Sequence, residues 1–102
     1  MTNVIILRNK DNHEIEVKGH SNYDKYGSDI VCSSISTACI MSANLIDKLG
    51  LSYNIISLTC EDGYFRLVIK NDNDILNKIF DNLVETLSSL EKQYPKNIKI
   101  KN

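Results

Sequence analysis

Between Asp74 and about Gln93 the apolar side chains Ile75, Ile79, Leu83, Leu87, Leu90 and Tyr94 recur every three or four residues. That spacing puts them on one face of a helix, and Leu76, Phe80 and Val84 widen the stripe. A helix of this kind must bury its stripe against another layer, and the segments before it supply one with a different period. Tyr53–Cys60 and Tyr64–Lys70 are rich in β-branched and aromatic residues, and Glu61-Asp62-Gly63 between them reads as a hairpin turn. The same succession occurs earlier in the chain. Val4–Leu7 reads as a strand with both faces apolar, followed by a turn at Asn9, Asp11 and Asn12. Glu14–Lys18 then alternates, with Ile15 and Val17 pointing one way and the charged residues the other. A first helix is expected from about Ile30 to Leu49, with Ile35, Ala38, Cys39, Ser42, Ile46 and Leu49 on one face. Ser28 or Asp29 would cap its start and Gly50 would close its end. Pro95 stops the second helix, and Ile98 and Ile100 alternate with Lys99 and Lys101 in a short final edge strand. The order ββαββαβ predicts an α+β fold, a mostly antiparallel sheet with two helices packed on it.

The 102 residues suit one domain over positions 1–102. Such a chain buries roughly two thirds of its unfolded surface and needs neither a metal nor a disulfide to fold. The formal charge of −1 gives no basic excess that would favour direct nucleic-acid binding. Val4–Leu7 is shorter than the roughly 7–15 apolar residues of a signal peptide. No continuous apolar run approaches about 18 residues, so no membrane partner is expected and the location expected is cytoplasmic. Cys32, Cys39 and Cys60 form an odd set without a C-x-x-C, which reads as free thiols, at least two of them in the core. Cys32 and Cys39 lie seven apart on one helix, about 10 Å along its axis. They can share neither a metal ion nor a disulfide, whereas Cys60 could join either. No metal or cofactor is expected, and His13 reads as a surface residue in a turn.

The stretch from Gly19 to Ser28 is polar and carries Tyr23 and Tyr26, a loop longer than the usual four to six residues. His20 opens it and Cys32 follows it. With the helix starting at Ser28 or Asp29, Cys32 lies in the first turn, where open N–H groups and the helix dipole favour a thiolate. Cysteines so placed, or beside histidine, can have pKa values as low as about 3.5–7.5. An imidazole ordinarily titrating near 6.5 suits proton exchange with such a thiol. The same residues also fit a plain reading, with Cys32 as a small filler of the first turn, His20 exposed in a loop and Asp29 a helix cap. Ser36, one turn on, could point inward and bond to the preceding turn.

Gly19-His20-Ser21, Tyr26-Gly27 and Gly27-Ser28-Asp29-Ile30-Val31-Cys32, followed by Ser33, Ser34, Ile35 and Ser36, resemble the ribosomal-processing cysteine protease family of bacteria, Prp. The resemblance implies a cysteine endopeptidase with Cys32 as nucleophile, His20 as base, and Asp29 and Ser36 in support. It implies a homodimer whose substrate is the N-terminal extension of a large-subunit ribosomal protein, the one numbered twenty-seven. Residues 21–28, including Ser21, Tyr23, Tyr26, Gly27 and Ser28, would then close over the peptide from Gly19 onward. Backbone N–H groups around Cys32 and Ser33 would hold the oxyanion. The alternative is a dimeric ribosome-associated binding module without chemistry, using the sheet face and the final edge strand.

Overall fold

The computed structural model describes residues 1–19 and 26–102, with positions 26–29 described as backbone. Strands β1 (Thr2–Arg8) and β2 (Asn12–Lys18) precede helix α1 (Tyr26–Lys48). A short 3-10 turn at Ser52–Asn54 leads into β3 (Ile55–Glu61), β4 (Tyr64–Lys70), helix α2 (Asp74–Gln93) and β5 (Ile98–Lys101). The five strands form one sheet in the order β3-β4-β2-β1-β5. Every pairing is antiparallel except β1 with β5, which run parallel with Thr2 opposite Ile98. The α+β reading is met, in the order expected.

Asn9 makes the first hairpin turn by accepting from the N–H groups of Asp11 and Asn12 at 2.9 and 2.7 Å. Alternation then sorts the strands into two faces. Val4, Ile6, Ile15, Val17, Phe65, Leu67 and Ile69 are buried on the inner face. They meet Val31, Ile35, Cys39 and Ile46 from α1 and Leu76, Phe80, Leu83 and Leu87 from α2. On the outer face, β2, β3 and β4 carry a polar lattice. Arg66 donates to both carboxylate oxygens of Glu14 and to Ser57, and the Tyr64 hydroxyl donates to Glu16 at 2.7 Å. That last bond shifts the Tyr64 hydroxyl pKa upward, since the carboxylate holds the proton.

Three expectations are corrected. β1 is apolar on both faces as read, and only one is covered, so Ile5 and Leu7 are exposed. His13 belongs to β2, in phase with Ile15 and Val17, and is therefore buried, with its ring 5.5 Å from that of Phe80. On the helices, Leu49 and Ile75 are exposed at the ends of their stripes. Of the three cysteines only Cys39 is buried; Cys32 is half-buried, and Cys60 is exposed because β3 is an edge strand.

Helix α1 is long and apolar enough, by length and composition, to cross a bilayer over Ile30–Lys48. Counting continuous apolar runs misses this because serines interrupt the segment. Two of them are satisfied within the helix: Ser34 and Ser42 donate to the carbonyls of Ile30 and Ala38 at 2.8 Å. In the fold one stripe of α1 enters the core, and a second, with Ile40, Met41 and Leu45, stays exposed. Gly50 ends the helix as expected. Its φ of +73° lets its N–H reach Asp47 and the Leu51 N–H reach Ile46, the paired bonds of a Schellman cap. Helix α2 is capped by Asn73, whose side chain accepts from the Leu76 N–H at 2.9 Å.

Candidate active site

The end of β2 is pinned before the chain leaves the sheet. The Gly19 N–H donates to the Gly63 carbonyl at 3.0 Å, tying it to the β3–β4 turn. Its φ is +105°, and a Cβ there would stand 2.7 Å from the Met1 carbonyl oxygen. Both facts demand glycine, so the Gly of Gly-His is a steric requirement at the point where the chain turns away. His20, Ser21 and Tyr23 lie outside the described residues.

Helix α1 begins at Tyr26, earlier than Ser28 or Asp29. Nothing in Tyr26-Gly27-Ser28-Asp29 forbids helix, and an acidic residue in the first turn complements the dipole. The backbone of Tyr26, Gly27 and Ser28 is therefore helical, where a loop was expected. Cys32 falls in the second turn. The dipole effect is concentrated in the first turn, and N–H groups further in are bonded to carbonyls four residues back. Cys32 and Ser33 thus do not offer the open N–H pair expected for an oxyanion.

Cys32 is half-buried on α1. It lines a cleft of about 600 Å³ together with Gly19, Ser36, Cys39, Cys60 and Gly63. One wall is α1 and the other is the end of β2 with the β3–β4 turn. Ser36, expected to point inward, is exposed and faces this cleft one turn beyond Cys32. Glu61 and Asp62 add two carboxylates to the rim. The cleft brings together Gly19, Cys32 and Ser36 of the predicted site, and it adds Cys60, which sequence reading left unassigned. The signal for Cys60 lay in its strand: alternation puts it in phase with Leu58 on the inner face. Among the described residues no cluster suited to holding a metal ion is found.

Burial pushes the Cys39 thiol up from its ordinary 9.0 to about 12, with a smaller push from Cys60. Unfolding releases that thiol to ionise near 9.0. Its contribution to stability is therefore whole below about pH 9 and is lost as pH rises toward about 12. Urea unfolding at pH 7 and 10 tests this. The stability difference between wild type and Cys39→Ala should shrink by about 1.4 kcal/mol per pH unit above 9.

The comparisons with known proteins converge on one family. The family model of the cysteine protease Prp matches residues 1–99. The ribosomal processing cysteine protease Prp of Staphylococcus aureus strain Mu50 is 28% identical over 88 residues, covering 85% of this chain and 83% of that protein. A crystal structure of the S. aureus protease with a substrate peptide superimposes with a TM-score of 0.81 at 26% identity, covering 99% of this chain and 98% of the other. A second, with a covalently linked product peptide, gives 0.77 at 27% identity, covering 98% and 97%. The fold alone is also shared with SMU.848 from Streptococcus mutans, at a TM-score of 0.82 and 23% identity, covering 99% and 92%. The chain is a cysteine protease by class. It belongs to the Prp family of ribosomal processing proteases.

Proposed function

We propose that this chain removes the N-terminal extension of large-subunit ribosomal protein twenty-seven, with Cys32 as nucleophile and His20 as general base. The observation that carries the reading is the cleft: Cys32 on its α1 wall faces Gly19, the residue that precedes His20 in the chain, on the other. The Cys32 thiol gives its proton to the imidazole and attacks the scissile carbonyl. The imidazolium then protonates the leaving amine, and water hydrolyses the thioester. With Cys32 in the second turn, the imidazole is the group that draws off the thiol proton. Asp29, in the first turn, supports the helix start, and Ser36 borders the cleft one turn beyond Cys32. Gly19 fixes the exit of β2, and the segment with Ser21 and Tyr23 borders the peptide. The test is trimming of the precursor ribosomal protein at one site, read by mass spectrometry. An unprocessed precursor after prolonged incubation at equimolar enzyme would favour the binding module instead.

The functional unit we propose is a homodimer in the cytoplasm. A groove between the helices is lined by Thr37, Met41 and Leu45 of α1 and Ile79, Asn82 and Thr86 of α2. With the neighbouring Ile40 it forms an apolar surface suited to a second copy of the chain. Native mass measurement should give a dimer that Met41→Asp with Leu45→Asp converts to monomer. A wild-type monomer at tens of micromolar would refute this.

A further inference from the structure

Cys39 and Cys60 have no part in the chemistry above, yet both face the cleft that holds Cys32. Cys60 pairs with Phe65 across β3 and β4, and directly paired residues project from the same face of a sheet. Phe65 is buried beneath the helices, so Cys60 points toward the helix layer from the sheet edge. Cys39 lies on the core-facing stripe of α1, two turns beyond Cys32. They line the same cleft from its two sides, Cys39 from α1 and Cys60 from the sheet edge. Their exposure differs sharply: Cys60 is open to small solutes and Cys39 is 3% exposed. Cys32 is too far along the helix to bond Cys39, since disulfide Cα atoms lie within about 7 Å.

We propose that Cys39 and Cys60 form a reversible disulfide under peroxide, stapling α1 to the edge strand β3 beside the nucleophile. The Cys60 thiolate attacks one oxygen of hydrogen peroxide. The O–O bond breaks, leaving a sulfenic acid on Cys60 and hydroxide, which takes up a proton to become water. The Cys39 sulfur then attacks the Cys60 sulfur, its thiol proton passing to the departing hydroxyl group. The S–O bond breaks and a second water leaves. Two thiols lose two electrons and two protons, and one peroxide becomes two waters. The bond fixes the spacing of two cleft walls without consuming Cys32, and reduction by a thiol restores both.

The test uses the full chain carrying Cys32→Ser, so that the nucleophile cannot react, treated with hydrogen peroxide and compared with a further Cys60→Ser variant. The intact mass should fall by about 2 Da, with a Cys39–Cys60 peptide in the non-reducing digest that disappears on reduction. The added Cys60→Ser change should leave Cys39 reduced and alkylatable after unfolding. Overoxidation of Cys60 to sulfinic acid with Cys39 still reduced would overturn the proposal. So would a Cys60–Cys60 bond between chains as the main product, or a Cys32–Cys60 peptide as the main product of the wild type.

Discussion

Replacing Cys32 by alanine is expected to lower precursor trimming by on the order of 10³-fold or more, and His20→Ala should cost about as much. Residues that act as one unit lose nearly the whole effect when either is removed. The double variant should therefore be little worse than either single one. Cys32→Ser is the sharper probe. It keeps the size and location of the side chain but substitutes a hydroxyl that ionises far less readily than a thiol. It too should fall by orders of magnitude. Because Cys32 is only half-buried, none of its variants should unfold the chain, and thermal melts recorded beside the rates separate lost chemistry from lost fold. Trimming by Cys32→Ala at the wild-type rate would remove the nucleophile assignment.

Phe80→Ala should cost about 3–5 kcal/mol of stability, the usual cost of truncating a large buried aromatic. Phe80 is fully buried on α2, stacks on His13 and lies 5.0 Å beneath the Arg8 guanidinium. Arg8 is itself paired to Asp81 at 2.9 Å, so one ring joins β1, β2 and α2. Truncation leaves a cavity and removes the ring that covers the buried imidazole. Ile75→Ala on the same helix is the control. Ile75 is exposed, and its loss should stay within about 0.5 kcal/mol. Urea denaturation of the two variants checks the contrast; equal losses would mean that α2 is not seated as described.

The sequence announced α2 closely because the apolar stripe and Pro95 are separate signals that agree. The β3–β4 hairpin was legible for a similar reason, with Glu61-Asp62-Gly63 between two β-rich runs. The misreadings have a common cause. Periodicity says which residues share a face, not whether another layer covers it. Ile5 and Leu7 are as apolar as Val4 and Ile6, and only the placement of the helices decides between them. His13 is misread from the other side: its polarity and the nearby turn suggest solvent, while its phase along β2 places it in the core. The start of α1 was obscured because Gly27, Ser28 and Asp29 suit a cap, a loop or a first turn equally. The parallel β1–β5 pairing joins residues almost a hundred positions apart, and no local pattern encodes it.

Gly19 packs against the Met1 carbonyl, so the chain's first residue stands directly behind the segment that leads to His20. β5 runs alongside β1 in the same direction, which carries Lys101 out to the level of Ile5. Purification handles and fusion partners therefore have unequal consequences at the two ends. Placed before Met1, they crowd the doorway to the cleft; placed after Asn102, they leave from the far end of the strand pair.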